Sequence, residues 1–151
     1  MNLLTSTKFA QAIEPGVIQD NAAFTSNVID RASFLPTGAK GVLFVVAVGS
    51  IDAAASVFKV VQSDTKTNDT TLGGTPSDVH DVTTKPGASD DSGIWLVYVP
   101  WAAWENRYLQ LQVTAGDGAS GTYLSAIAIA DMPGTTQAEA TALGASVLEI
   151  A

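Results

Sequence analysis

At 151 residues the chain is long enough for one domain with a real core, and 46% hydrophobic against 15% charged residues excludes disorder over its whole length. Seven basic against fifteen acidic residues leave a net charge of −8, too few cations to grip a nucleic-acid backbone. The absence of cysteine excludes disulfides and thiolate metal sites and fits synthesis in a reducing cytoplasm.

No stretch approaches the ~20 apolar residues of a membrane span, and the start of the chain lacks the apolar run and cleavage site of a secretory signal. Residues 1–26 read as an N-terminal arm, in which Leu3, Leu4, Phe9, Ile13, Val17, Ile18 and Phe24 follow no sustained period and Pro15-Gly16 breaks the segment. Within it, residues 6–13 suit a short helical turn with Phe9 and Ile13 on one side. The arm is either ordered by lying on something or partly frayed.

Residues 27–34 read as a first strand, followed by a turn at Leu35-Pro36-Thr37-Gly38. Residues 41–48 are a continuous β-branched run, suited to a strand buried on both faces. Residues 57–63 alternate, with Phe58 and Val60 on one face and Lys59 on the other. From 64 to 93 the composition turns to Thr, Asp, Gly, Ser and Pro. So long a stretch without structure is unusual in a compact domain, so a short strand is expected inside it. The best place is 77–83, although Val79 and Val82 break the alternation there.

Three further strands are predicted at 94–99, 108–114 and 123–130, rich in Val, Ile, Tyr and Trp and bounded by Gly, Pro, Asp and Ser. In the second, Leu109, Leu111 and Val113 face one way and Tyr108, Gln110 and Gln112 the other, as in an antiparallel sheet with one face inward. The Gly-rich loop 115–121 reads as a hairpin joining the second strand to the third. In the third, Leu124, Ala126, Ala128 and Ala130 alternate with Tyr123, Ser125, Ile127 and Ile129. That alanine face is shallow enough for close approach of another sheet or another chain.

After Pro133, Thr136 and Glu139 have capping-box spacing, residues 137–143 favour helix and Gly144 ends it. Residues 147–150 would add a last short strand or pack against a neighbour. The fold class is therefore all-β: an antiparallel β-sandwich or jelly-roll-like domain over 27–133, with an extended N-terminal arm over 1–26 and a short C-terminal helix and tail over 134–151.

Catalytic chemistry finds little to work with. His80 is the single histidine, and Ser77, Asp78 and Asp81 beside it point to different faces of an extended chain, so it reads as a solvated loop residue. Asp64, Asn68, Asp69, Asp90, Asp91 and Asp117 raise calcium, but no fixed ligand spacing appears, and aspartates in such loops ordinarily make Asx-turns. Residues 116–121 join two strands and open no helix, so they are no phosphate cradle. No catalytic residue, metal site or cofactor is assigned. Trp95 reads as core. Trp101 and Trp104 flank a strand-to-strand corner at 100–106, where core packing, a protein contact and a sugar platform are the alternatives. The residues singled out as candidate protein contacts are Phe9 and Ile13 in the arm, Trp101, Trp104 and Arg107 at the corner, and Leu143 and Leu148 in the tail.

Several short motifs fall in a fixed order: Asn27-Val28-Ile29-Asp30, then Phe44-Val45-Val46-Ala47-Val48-Gly49-Ser50-Ile51-Asp52, then Gln62-Ser63-Asp64, then Arg107-Tyr108-Leu109, and a closing stretch from Ser125 to Pro133. In this order the chain resembles, over roughly 27–133, a family of small phage head proteins commonly encoded near the major capsid protein. It departs from the family pattern where 100–106 replaces a short glycine link, and in its helix-forming tail. The resemblance implies a structural, non-enzymatic capsid decoration (cement) protein on the virion surface, made in the host cytoplasm, with the major capsid protein as partner and a homotrimer as its own assembly. It implies no nucleic-acid or membrane partner. The alternatives are a carbohydrate-binding module on a virion surface and a head-completion or tail protein.

Overall fold

Strands form where the sequence alternates or runs β-branched, and the long ones present an apolar face to the core between the two sheets. The computed structural model describes residues 8–34, 40–130 and 145–151. In it the chain is all-β. The strands are β1 (Phe9–Ile13), β2 (Ile18–Gln19), β3 (Ile29–Asp30), β4 (Gly41–Val48), β5 (Val57–Ser63), β6 (Lys66–Asn68), β7 (Thr71–Leu72), β8 (Ser77–Asp81), β9 (Ile94–Pro100), β10 (Tyr108–Thr114), β11 (Thr122–Ala130) and β12 (Val147–Ile150), with one helical turn, α1 (Arg31–Phe34).

Two sheets face each other. The larger has the order β1-β11-β4-β9-β12, with β2 continuing the β1 edge along β11; the smaller has the order β3-β10-β5-β8. Pairing is antiparallel throughout both sheets except for β12, which runs parallel to β9. Between the sheets lie Val42, Phe44 and Val46 of β4, Trp95, Val97 and Val99 of β9, and Ala126, Ala128 and Ala130 of β11. They meet Phe58 and Val60 of β5 and Leu109, Leu111 and Val113 of β10. The alanine face of β11 is thus used inside the domain, against the smaller sheet.

Several expectations are corrected. Residues 115–121 are not a hairpin loop, because β10 and β11 belong to different sheets and the loop crosses between them. Period-2 alternation shows which residues share a face, but not which strand lies alongside. Residues 9–13 form a strand on β11 rather than a helical turn, and the Pro15-Gly16 break separates β1 from β2 along the same edge. A proline on an edge also blocks sheet-to-sheet pairing there. Of the strand expected over 27–34, only Ile29–Asp30 pairs; Asp30 Oδ1 then accepts from Ala32 N at 3.0 Å and starts α1. The β4 strand is not buried on both faces, since Ala47 on its outer side is exposed. The helix expected over 137–143 lies outside the described residues.

The edges of the two sheets are tied on both sides. On one, the segment after β2 crosses from the larger sheet to the smaller, with Phe24 N donating to Val113 O and Ala115 N to Ala22 O. On the other, Glu149 of β12 and His80 of β8 both point into the gap between the sheets, as their partners Val97 and Val60 show.

Candidate docking surfaces

Any chemistry would have to come from the polar clusters. Glu149 Oε2 accepts from His80 Nε2 at 2.8 Å and from Thr83 N at 2.9 Å, while Oε1 accepts from Thr84 N at 2.8 Å. Burial pushes the Glu149 carboxyl up, but the Thr84, Thr83 and His80 hydrogen bonds outweigh it and hold it below its ordinary range. His80 is therefore a clamp residue on a strand and not a solvated loop histidine. Nothing in the sequence pairs it with a carboxylate 69 residues away. The broken alternation at Val79 has a physical cause as well: Val60 pairs with His80 and Val61 with Asp78, so Val79 is the extra residue of a bulge.

The glycine-rich loop 115–121 does hold anions, but they are the protein's own. Asp52 Oδ2 accepts from Ser120 N and from Gly121 N at 3.1 Å, and Asp20 Oδ1 accepts from Gly118 N at 3.0 Å. These bonds, the one from Ser120 foremost, hold the Asp52 carboxyl below its ordinary range. A Cβ at Gly118 would run into the Asp52 carboxylate, so the close approach needs glycine here or a shift of the Asp52 side chain that would break its bonds to the loop. Other acidic and amide side chains of the loops act in turns and ties. Asp90 Oδ2 accepts from Gly87 N, Asp91 Oδ1 from Ile51 N, and Asn68 Oδ1 from Thr70 N. Among the described residues, no group of three His or acidic side chains converges as a metal ion would need. One surface groove, about 420 Å³, has Lys59 as its single charged lining residue.

The two outer faces of the sandwich differ. On the smaller sheet, the hairpin β6–β7 folds back so that Leu72 packs with Val61 and Tyr108, and Val28 joins them. Gln110, expected to point to solvent, is buried there, its Nε2 donating to Ser26 O at 2.8 Å and Thr70 O at 2.9 Å. On the larger sheet, register places Phe9, Ile129, Leu43, Tyr98 and Ile150 in one row across β1, β11, β4, β9 and β12. The next row holds Gln11, Ile127, Val45, Leu96 and Leu148, and beyond it lie Ser125, Ala47 and Ile94, then Tyr123 beside Ile18. These rows contain no charged side chain. Phe9, Ile18, Tyr123, Ile127 and Ile150, all on this face, are among the exposed large hydrophobic residues. Between them Leu43, Val45, Tyr98, Ile129 and Leu148 are half-buried and Leu96 is buried, so the exposed apolar side chains stand mainly along the β1–β11 side and at Ile150. Exposed apolar groups gathered on one face mark a candidate contact surface.

The candidate contact residues are thereby sorted. Phe9 is 47% exposed and lies on the apolar face, where Leu148 also sits, half-buried. Ile13 is buried, facing the core beside Ala12, and no partner reaches it. At the corner, Trp104 is fully buried while Trp101 is 46% exposed, so the two rings form no shared platform. The corner turns because Ala103 N donates to Pro100 O at 3.0 Å and Gln62 Oε1 accepts from Glu105 N and Asn106 N. Arg107 is exposed and engaged by Asp30 of its own chain, Nη2 to Oδ2 at 2.9 Å. The Arg107 hydrogen bond holds the Asp30 carboxyl below its ordinary range. Leu143 lies outside the described residues. Ile18, Tyr123, Ile127 and Ile150 were not singled out from the sequence, although the odd-numbered face of the third central strand was the signal that contained two of them.

Comparison with known protein families, with curated proteins and with solved structures found no match.

Proposed function

We propose that this chain is a capsid decoration (cement) protein: a non-enzymatic virion component that binds the outside of a phage head at subunit boundaries and stabilises the shell, with the major capsid protein as partner and a trimer as its own assembly. The observation that carries this reading is the uncharged, apolar outer face of the larger sheet. A chain with net charge −8 that keeps one broad face free of charge has a surface suited to lying against another protein. The polar clusters described above, by contrast, are engaged within the domain.

Two further features support the reading. The orders β1-β11-β4-β9 and β3-β10-β5-β8 of the two facing sheets support a jelly-roll reading of the sandwich, an architecture used by viral capsid and lectin domains. Architecture alone does not assign function. The sequence resemblance over 27–133 adds the phage-head context. Binding the assembled shell in preference to separate subunits would stabilise it by mass action, and a trimer would gain from multivalency. Sedimentation of purified protein with shells of the major capsid protein tests this. Saturable binding and a raised shell melting temperature are expected; failure to bind shells overturns the reading.

Carbohydrate binding has one favourable observation, the exposed Trp101 ring. Arg31 already covers one face of that ring and Trp104 is buried, so a stacked sugar would have a single half-ring to use. Glycan binding lost in Trp101→Ala, with shell binding absent, would favour this second reading.

A further inference from the structure

Seven cations serve this acidic chain, and their distribution is uneven. Lys59, Lys66, Lys85 and Arg107 each meet a carboxylate of their own chain: Asp78, Asp69, Asp81 and Asp30. The other three, Lys8, Arg31 and Lys40, meet none among the described residues: Arg31 lies on Trp101, Lys40 is joined to Trp101 through its backbone, and Lys8 reaches α1, which carries Arg31. The Arg31 guanidinium stacks on the Trp101 ring, 3.4 Å from its centre. Lys40 is held beside the same residue, its carbonyl accepting from Trp101 N at 2.6 Å. The Lys8 ammonium donates to Ser33 O on α1, two residues from Arg31.

Arg31 is also under-used as a donor. Its Nη1 donates to the backbone carbonyl of Glu105 at 3.2 Å, but its Nε has no acceptor, and neither does the neighbouring Trp104 Nε1. Burial makes the guanidinium somewhat less basic than an exposed one, as expected of a partly dehydrated cation without a counter-charge. A carboxylate brought to this corner would restore the missing charge at the Nη edge of a guanidinium already held in place by Trp101, the Nε itself being buried.

We infer that the Arg31–Trp101 corner, with Lys8 and Lys40, is an anchor for an acidic protein segment presenting Asp or Glu side chains. Tryptophan and arginine held together at a half-exposed position are the residue types that carry binding energy at protein contacts. A protein segment is favoured over a polynucleotide because three cations stand here against a molecule of net charge −8, with acids close by: Arg31 meets the Glu105 carbonyl, and Arg107 meets Asp30 and Asp64. A long phosphate chain would run across those acids, whereas a short carboxylate segment would not. This corner differs from the apolar face in chemistry, and the inference does not depend on the shell reading.

The test is an NMR titration of the full chain at low salt with an acetylated, amidated hexaglutamate peptide. The inference expects saturable shifts of the Trp101 indole N–H and the Arg31 Nε–H, with affinity reduced roughly tenfold in Arg31→Gln and in Trp101→Ala. Should Arg31→Gln fold poorly, Trp101→Ala and Lys40→Gln alter exposed residues and keep the experiment decisive. Absence of saturable shifts, shifts centred on Lys66 or Arg107, or unchanged affinity in the variants would overturn it. Equal binding of inorganic phosphate or of a single-stranded oligonucleotide would overturn the assignment to carboxylates. Shell sedimentation in parallel separates the outcomes, since shells bound without peptide binding would remove this inference and leave the proposed function standing.

Discussion

The outer faces of the two sheets make opposite use of similar residues. On the smaller sheet, Val61 and Tyr108 are covered by Leu72 from the β6–β7 hairpin, and the buried Gln110 amide is satisfied by two carbonyls. On the larger sheet, Ile127, Tyr123, Phe9 and Ile18 stand in register with no comparable cover among the described residues. A short hairpin thus suffices to cover one apolar sheet face. The face that stays exposed among the described residues is the better place to seek a partner, because exposed apolar area costs solubility.

Substitutions on the two faces should separate stability from binding. The largest expected effect belongs to the seam that joins both sheets. Glu149→Ala strands Thr83 N, Thr84 N and His80 at once and should cost about 3 kcal/mol in chemical denaturation. On the covered face, Leu72→Ala should cost about 2 kcal/mol by the same measurement while leaving shell binding intact. On the open face, Ile127→Lys should change stability by no more than about 0.5 kcal/mol, because the side chain is 44% exposed, and yet abolish shell binding. A large loss of stability from Ile127→Lys would show that the open face is structural after all.

Acid offers a smaller and reversible version of the seam experiment. The Glu149 and Asp30 carboxyls are both held below their ordinary range in the fold. Their contribution is therefore complete above the unfolded-state carboxylate pKa and is lost as pH falls through the lower folded value. Thermal melts should be flat from neutrality down to the ordinary carboxylate range and decline below it. The Glu149→Ala variant should show a shallower decline than the parent.

Much of this contrast was legible in the sequence at the level of strands. The runs at 41–48, 57–63 and 108–114 form strands with those bounds, and the inward set Leu109, Leu111 and Val113 is the one the alternation marks. What the alternation cannot carry is pairing. It made a hairpin loop of 115–121, which instead crosses between sheets, and left the cover over Gln110 unseen because Ser26 and Thr70 are 84 and 40 residues away. The two corner tryptophans are three positions apart with opposite fates, since Trp104 turns into the core as the chain reverses at Pro100 while Trp101 stays outside. His80 and Glu149 meet only because β8 and β12 end up on the same side of the sandwich.

The most direct test of the docking account is sedimentation of shells of the major capsid protein with the wild-type chain and with Ile127→Lys, both first shown to be folded by thermal melting. The account predicts saturable binding of the wild type and none of the variant. Shells that bind both proteins equally, or that bind neither, would contradict it.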